Sequence, residues 1–323
     1  MKVAVERIEY VLPESIEDAR HLKAANPDWR IEEIQEKTGI VTRYISSPEQ
    51  TASDLAVLAA EKLFESGVDR AEIQATIFVT QSPDYSLPTS ACVIQNRLHL
   101  PTSCMAFDVN LGCSGFVYGL SIGGALVETG VSKNVLLLCG DTYSKYIDSS
   151  DRTCRPIFSD GASAALLTKS SKDHLGPFEL GTDGSGYENL IVHNSGSRSS
   201  PSKPRKIHMD GAKVFMFTMA KVPQCVNALL KKTNLRLSDI DLFVFHQAST
   251  IVLENIIRRL NLPQEKVYLN LQRVGNMVSA SIPIALKDAE REGWLKENAL
   301  VMLVGFGVGY SWGSCLLRWK GGV

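Results

Sequence analysis

Apolar side chains recur along this chain in two alternating rhythms: short continuous runs that suit buried strands, and three-four spacings that suit helices. Residues 2–11 read as a strand, and 31–37 as a short helix closed by Gly39. Leu55, Leu58, Ala59 and Leu63 keep helical spacing through 53–65, and Gly67 stops that helix. Apolar runs at 75–79, 105–109, 135–139 and 162–167 predict strands. Between them, 87–98 and 114–129 predict helices, the first carrying Pro88 in its opening turn, where proline costs no hydrogen bond. The stretch 181–205 breaks the pattern with GTDGSG and SGSRSSPSKPR. It reads as a surface excursion between one half, 1–175, and another, 176–323. Helices at 211–233, 249–259 and 279–291 and strands at 242–245, 300–304 and 312–318 then resume the alternation. The pattern predicts an α/β protein with central sheets covered by helices, and reactive groups on the loops at strand ends.

Composition narrows this picture. A chain of 323 residues suits two packed domains or one duplicated domain. Hydrophobic residues at 44% against 21% charged describe an ordered globule. With 34 basic and 35 acidic residues there is no global basic excess to hold nucleic acid. Glu6 and Glu9 interrupt the first apolar stretch, which argues against a signal peptide. No apolar run reaches the ~18–20 residues of a membrane span, so a cytoplasmic protein is expected. The seven cysteines are scattered and form no CxxC pair. Free, mostly buried thiols are therefore expected, and no zinc knuckle or disulfide framework. Arg198, Lys203, Arg205 and Lys206 sit in the Ser/Pro-rich excursion and read as a solvated loop.

Three residues at predicted strand ends carry candidate chemistry. Cys113 lies in MAFDVNLGCSGFVYGL between a strand and a helix, framed by Gly112 and Gly115, which permit a sharp turn and a close approach. At a helix N-terminus its thiol is expected to ionise more readily than an ordinary cysteine. His246 ends the run DLFVFH; taken alone, a core imidazole bonded to backbone is the more frequent role. Asn276, in RVGNMVSAS, reads equally well as a helix cap. The glycines of LVGFGVGYSWGS could offer backbone N–H groups as an oxyanion hole or simply form a tight turn. No GK[ST] follows them, which argues against a phosphate loop.

Taken together, KTGIVTRYI, SLPTSACVIQ, DVNLGCSGF, SDGASAAL, HQAS, RVGNMVSASIPIAL and GFGVGYSWGS resemble, in order and spacing, the β-ketoacyl-acyl-carrier-protein synthase III family of the thiolase superfamily. The resemblance covers nearly the whole chain. It implies five alternating layers, αβαβα, built from two similar halves, and a homodimer. It implies that Cys113 takes an acyl group from a thioester, usually acyl-CoA. His246 and Asn276 would hydrogen-bond the thioester oxygen of malonyl-acyl carrier protein and stabilise the enolate left by decarboxylation. The backbone N–H groups of Cys113 and Val308 would hold the tetrahedral oxyanion. Arg152, Leu87, Gly211, Arg258 and Arg259 make up the implied substrate- and carrier-binding set, with Leu87 reaching into the partner's acyl pocket. CoA or phosphopantetheine thioesters are substrates, and no metal or redox cofactor is implied, nor any nucleic acid or membrane partner.

The chain departs from the family at two places. A tryptophan that stacks on the CoA adenine is replaced by Glu33 or a neighbour, with Trp29 displaced nearby. An arginine of the HQAN helix that docks the carrier is replaced by Ile251. Both changes point to a specialised pathway. A thiolase would carry a second cysteine where GFGVG stands. Hydroxymethylglutaryl-CoA synthases and head-to-head condensing enzymes would carry a glutamate base where Gln81 stands, and an amide cannot take a proton as a carboxylate does. Chalcone-synthase-like enzymes share Cys–His–Asn in longer chains with GFGPG. Transfer of the acyl group from Cys113 to an alcohol or amine is the main alternative; relatives of that kind often lose part of the His/Asn pair. A silent partner subunit would typically lack the cysteine.

Overall fold

The computed structural model describes residues 1–321. The first half runs β1 (Val3–Val11), β2 (Ser15–Asp18), α1 (Ala19–Ala25), α2 (Ile31–Thr38), β3 (Thr42–Ile45), α3 (Ala52–Glu65), β4 (Ala75–Val79), α4 (Ser90–Arg97), β5 (Met105–Val109), α5 (Gly115–Glu128), β6 (Asn134–Asp141) and β7 (Gly161–Lys169). The second runs β8 (Leu175–Thr182), β9 (Leu190–Val192), β10 (Ile207–Met209), α6 (Gly211–Thr233), β11 (Leu242–Phe245), α7 (Thr250–Leu260), α8 (Leu271–Val274), α9 (Ser281–Arg291), β12 (Leu300–Gly307) and β13 (Ser311–Arg318).

Two sheets organise these elements. One has the order β1-β7-β6-β4-β5, with β4 parallel to both neighbours and β7 antiparallel to both of its own. The other has the order β11-β12-β13-β8, with only β11 and β12 parallel. Strand alternation sorts the apolar residues into three cores. Ile77 and Val79 of β4 face inward, with Val301 and Leu303 of β12, onto the central helices α5 and α9. Phe78 of β4 faces outward, onto α3 and α4. Met302, Val304 and Phe306 of β12 face the opposite outer layer, α6 and α7. The sequence of layers is therefore αβαβα, the arrangement of the thiolase fold. Strands buried on both faces read as unbroken apolar runs, which is why most of them are visible in the sequence. Among the described residues no helix is long and apolar enough to cross a membrane.

Four expectations need correction. The helix expected over 87–98 starts only at Ser90, leaving Pro88 outside it. Its first N–H groups, on Ser90 and Ala91, donate to the Asp108 carboxylate of β5 at 2.7 and 2.8 Å, so a distant side chain sets the boundary. The expected excursion at 181–205 begins inside β8 and contains β9; Pro177 and Gly181 hide β8 from a pattern reading, but β13 pairs with it, Trp312 opposite Gly181. The strand expected over 300–304 continues to Gly307, so Gly305 and Gly307 are strand residues rather than a loop. Finally, the β2–β3 hairpin and α1 carry no clear apolar rhythm and were not predicted. The hairpin is tied down by Arg43, which pairs with Glu17 and donates to Phe158 O.

Candidate active site

Cys113 sits at the elbow between β5 and α5. The turn is closed by Gly115 N donating to Gly112 O at 2.7 Å, and it is pinned to the second half by the Ser114 and Ser311 hydroxyls, 2.7 Å apart. Strand β12 passes so close that only glycine fits. A Cβ on Gly307 would stand 2.7 Å from both Cβ and Sγ of Cys113, and one on Gly305 would stand 2.7 Å from Ser114 Cα. That approach brings the backbone N–H of Val308 to the Cys113 sulfur, together with the N–H of Cys113 itself. Two backbone donors converging on one thiol form the frame of an oxyanion hole.

His246 follows β11, its own N–H donating to Val304 O at 2.8 Å, and its ring meets Phe306 edge-on at 5.6 Å. Gln247 locks the turn beyond it: its amide donates to Phe245 O and accepts from Asn270 N. Asn276 lies in the loop between α8 and α9. Its backbone is clamped on Ile157 O and Ser159 N, its Oδ1 accepts from Val278 N at 3.0 Å, and its Nδ2 reaches Ala248 O at 3.4 Å. Cys113, His246 and Asn276 line one cavity of about 180 Å3. The rest of its wall is nearly all apolar, including Phe158, Met209, Phe215, Ile251, Val252 and Phe306, with Gly211 at the start of α6.

Burial governs the electrostatics. The Cys113 thiol is pushed up to about 12, first by desolvation and then by the nearby Asp141 carboxylate, while the N–H groups of Val308 and Cys113 pull the other way. The expectation of an easily ionised thiol is thus overturned: desolvation in an apolar, water-poor setting outweighs the backbone donors that favour the thiolate. Desolvation also holds the His246 imidazole down at about 3, so it stays neutral at any ordinary pH. Its Nδ1 is buried with no hydrogen-bond partner among the described residues. Asp141, at the end of β6, ties the site together. It accepts from Gln81 N at 2.7 Å and from Ser279 N and Oγ, linking the β4 loop to the segment that carries Asn276; burial pushes it up to about 7.

A second chamber of about 200 Å3 lies beside the elbow and shares Leu190 with the first. Gln81, Asn110, Tyr143, Tyr146, Ser195 and Val308 are on its wall. Neither Tyr143 nor Asp141 was singled out in the sequence; a buried tyrosine in GDTYSKY has no local signature.

The remaining expected residues lie elsewhere. Leu87 is 84% exposed, on the surface before α4. Arg152 is exposed in the turn between β6 and β7 and lines neither chamber. Arg258 and Arg259, in the last turn of α7, line a separate groove with Phe215 and the exposed Met216, so Phe215 is the residue this groove shares with the cavity of Cys113. Trp29 is packed against Leu22, Ile31 and Ile34, a core residue of the first small helices.

Comparison with known proteins agrees with the layers. The profile of 3-oxoacyl-[acyl-carrier-protein] synthase III matches residues 107–184, and the profile of its C-terminal part matches residues 230–319. A β-ketoacyl-[acyl-carrier-protein] synthase III from Clostridioides difficile (strain 630) is 39% identical over 315 residues, 95% of each chain. Among solved structures, a 3-oxoacyl-(acyl-carrier-protein) synthase III superposes with a TM-score of 0.96 at 41% identity, covering 99% of this chain and 100% of its own. The corresponding enzyme from Pseudomonas aeruginosa PAO1 gives 0.92 at 32% identity, covering 100% of both chains. The chain belongs to the β-ketoacyl-acyl-carrier-protein synthase III family.

Proposed function

We propose that the protein is an acyl-transferring condensing enzyme that loads an acyl group from acyl-CoA onto Cys113 and joins it to the malonyl group of malonyl-acyl carrier protein. The observation that carries this reading is the meeting of Cys113, His246 and Asn276 on one cavity, with two backbone N–H groups at the sulfur. In the first step the Cys113 sulfur attacks the thioester carbonyl. The oxyanion is held by the N–H groups of Cys113 and Val308, and the departing thiolate takes up the thiol's proton. In the second step the malonyl thioester enters the same cavity, and the neutral His246 ring and the Asn276 amide donate hydrogen bonds to its carbonyl oxygen. Loss of CO2 leaves an enolate stabilised by those donors. Its carbon attacks the acyl carbonyl, and Cys113 leaves as thiolate and recovers a proton. A dry, apolar wall makes each of these dipoles worth more than it would be in water.

The groove that holds Arg258 and Arg259 offers positive charge beside the cavity mouth for an acidic carrier protein. Strand β5 is the edge of its sheet, and Met105, Tyr85 and Leu87 are exposed near it. These features support a homodimer joined along β5, with Leu87 reaching toward the second copy's polar chamber. The chemistry proposed uses no metal or redox group and suits a cytoplasmic enzyme.

The test is intact-mass spectrometry after incubation with a panel of acyl-CoAs and acyl-carrier proteins. The wild type should gain one acyl mass and Cys113→Ala none. Adding malonyl-acyl carrier protein should then discharge the acyl group with CO2 release. Discharge onto an alcohol or amine without CO2 would replace condensation by simple acyl transfer.

A further inference from the structure

The second chamber holds a polar pair against the reactive elbow. Tyr143 is buried, its ring 5.2 Å from Phe158, and its hydroxyl donates to Gln81 Oε1 at 2.7 Å. That same oxygen lies so near Gly112, the residue before Cys113, that a Cβ there would stand 2.4 Å from it. Tyr143 and Cys113 also pack in one cluster with Phe158 and Leu190. Because Oε1 is occupied by Tyr143, the Gln81 Nε2 donor is left with no partner among the described residues, on the wall of a chamber that Asn110 and Ser195 also line.

An acyl group on Cys113 must send its tail somewhere. The cavity that holds His246 and Asn276 has to admit the malonyl thioester while the acyl group is in place, so the tail belongs in the other chamber. A plain alkyl tail there would strip water from the Gln81 amide and return no hydrogen bond. A tail with an oxygen within reach of that amide would return one.

We propose that the Gln81–Tyr143 pair is a specificity determinant that makes the enzyme prefer a short acyl group bearing a hydroxyl or keto oxygen over the alkyl acyl group of the same length. The inference rests on Cys113 being the acylated residue. Gln81 acts on the acyl tail through its free N–H group, and Tyr143 acts through Gln81 as a positioning residue by holding the amide in that orientation. A site built around a donor rejects the analogue without an acceptor by about tenfold to a hundredfold.

The experiment compares initial rates of Cys113 acylation, by intact mass, for butyryl-CoA, 3-hydroxybutyryl-CoA and 4-hydroxybutyryl-CoA in the wild type, Gln81→Leu and Tyr143→Phe. The wild type should load at least one hydroxylated acyl group about tenfold or more faster than butyryl, as kcat/KM. Gln81→Leu should reverse that ratio by slowing the hydroxylated donor and speeding butyryl. Tyr143→Phe, which removes only the hydroxyl, should lower the ratio by raising the KM of the hydroxylated donor. A wild type that loads butyryl as fast as both hydroxylated donors overturns the proposal, as does a ratio unchanged in the variants. Failure of every acyl thioester, carrier-bound ones included, to load would instead overturn the reading of Cys113 on which it rests.

Discussion

The two chambers beside Cys113 are of similar size and opposite character. One, about 180 Å3, is mainly apolar, with Thr218 and Ser249 beside His246, Asn276 and the thiol; the other, about 200 Å3, carries two amides, two phenols and a serine hydroxyl among five apolar residues. The difference separates two demands. A developing enolate or oxyanion is best stabilised where water is excluded and a few donors are fixed in advance. Choosing between acyl groups of equal length needs polar groups that one tail satisfies and the other leaves unpaired. The elbow at Cys113 stands between the two.

Changes on the apolar side should act on reaction steps and leave acyl preference alone. The largest effect expected there, after loss of the cysteine itself, is in His246→Ala and Asn276→Ala. Each should slow CO2 release from malonyl-acyl carrier protein by about 10²–10³-fold, the scale of removing one oxyanion donor. Acyl loading of Cys113, followed by mass, should persist in both. Equal damage to loading and condensation would mean that the two chambers do not divide the work.

Gly307→Ala should come next. Its methyl group would stand 2.7 Å from the Cys113 sulfur, so the strand or the elbow has to shift. Loading should fall by about a hundredfold, the scale of an ångström of misplacement, and circular dichroism should show the fold intact. Normal loading in this variant would show that Val308 N–H need not be held so close.

The last effect concerns stability and pH and leaves the reaction steps aside. His246 is held at about 3 in the folded protein against 6.5 for a free ring. Between those values the unfolded chain binds the extra proton, so this residue makes the fold less stable as pH falls. Relative to His246→Gln, the wild type should lose about 1.4 kcal/mol per pH unit through that window, measured by denaturant unfolding. Parallel stability profiles would place the ring in contact with water and weaken the contrast between the chambers.

Much of this architecture is legible from residue pattern. Strands such as Ala75–Val79 and Leu242–Phe245 are buried on both faces and announce themselves as unbroken apolar runs. The less regular β8 and the β2–β3 hairpin exist because a neighbour pairs with them, and pairing leaves no local trace. The sites divide the same way. Gly–Cys–Ser–Gly between a strand and a helix marks an elbow, whereas His246 and Asn276 taken singly look like a core imidazole and a helix cap.

The chain by itself determined the alternation of elements, the elbow at Cys113 and, through the order of its motifs, the family, because apolar rhythm and turn chemistry act between near neighbours. Only the tertiary structure decided that residues 113, 246 and 276 share one cavity, that Gly307 must lack a side chain, and that Tyr143 bonds Gln81. It also reversed the expected direction of the Cys113 thiol. Desolvation is the sum of every group packed around an atom, and most of the groups around that sulfur come from far along the chain.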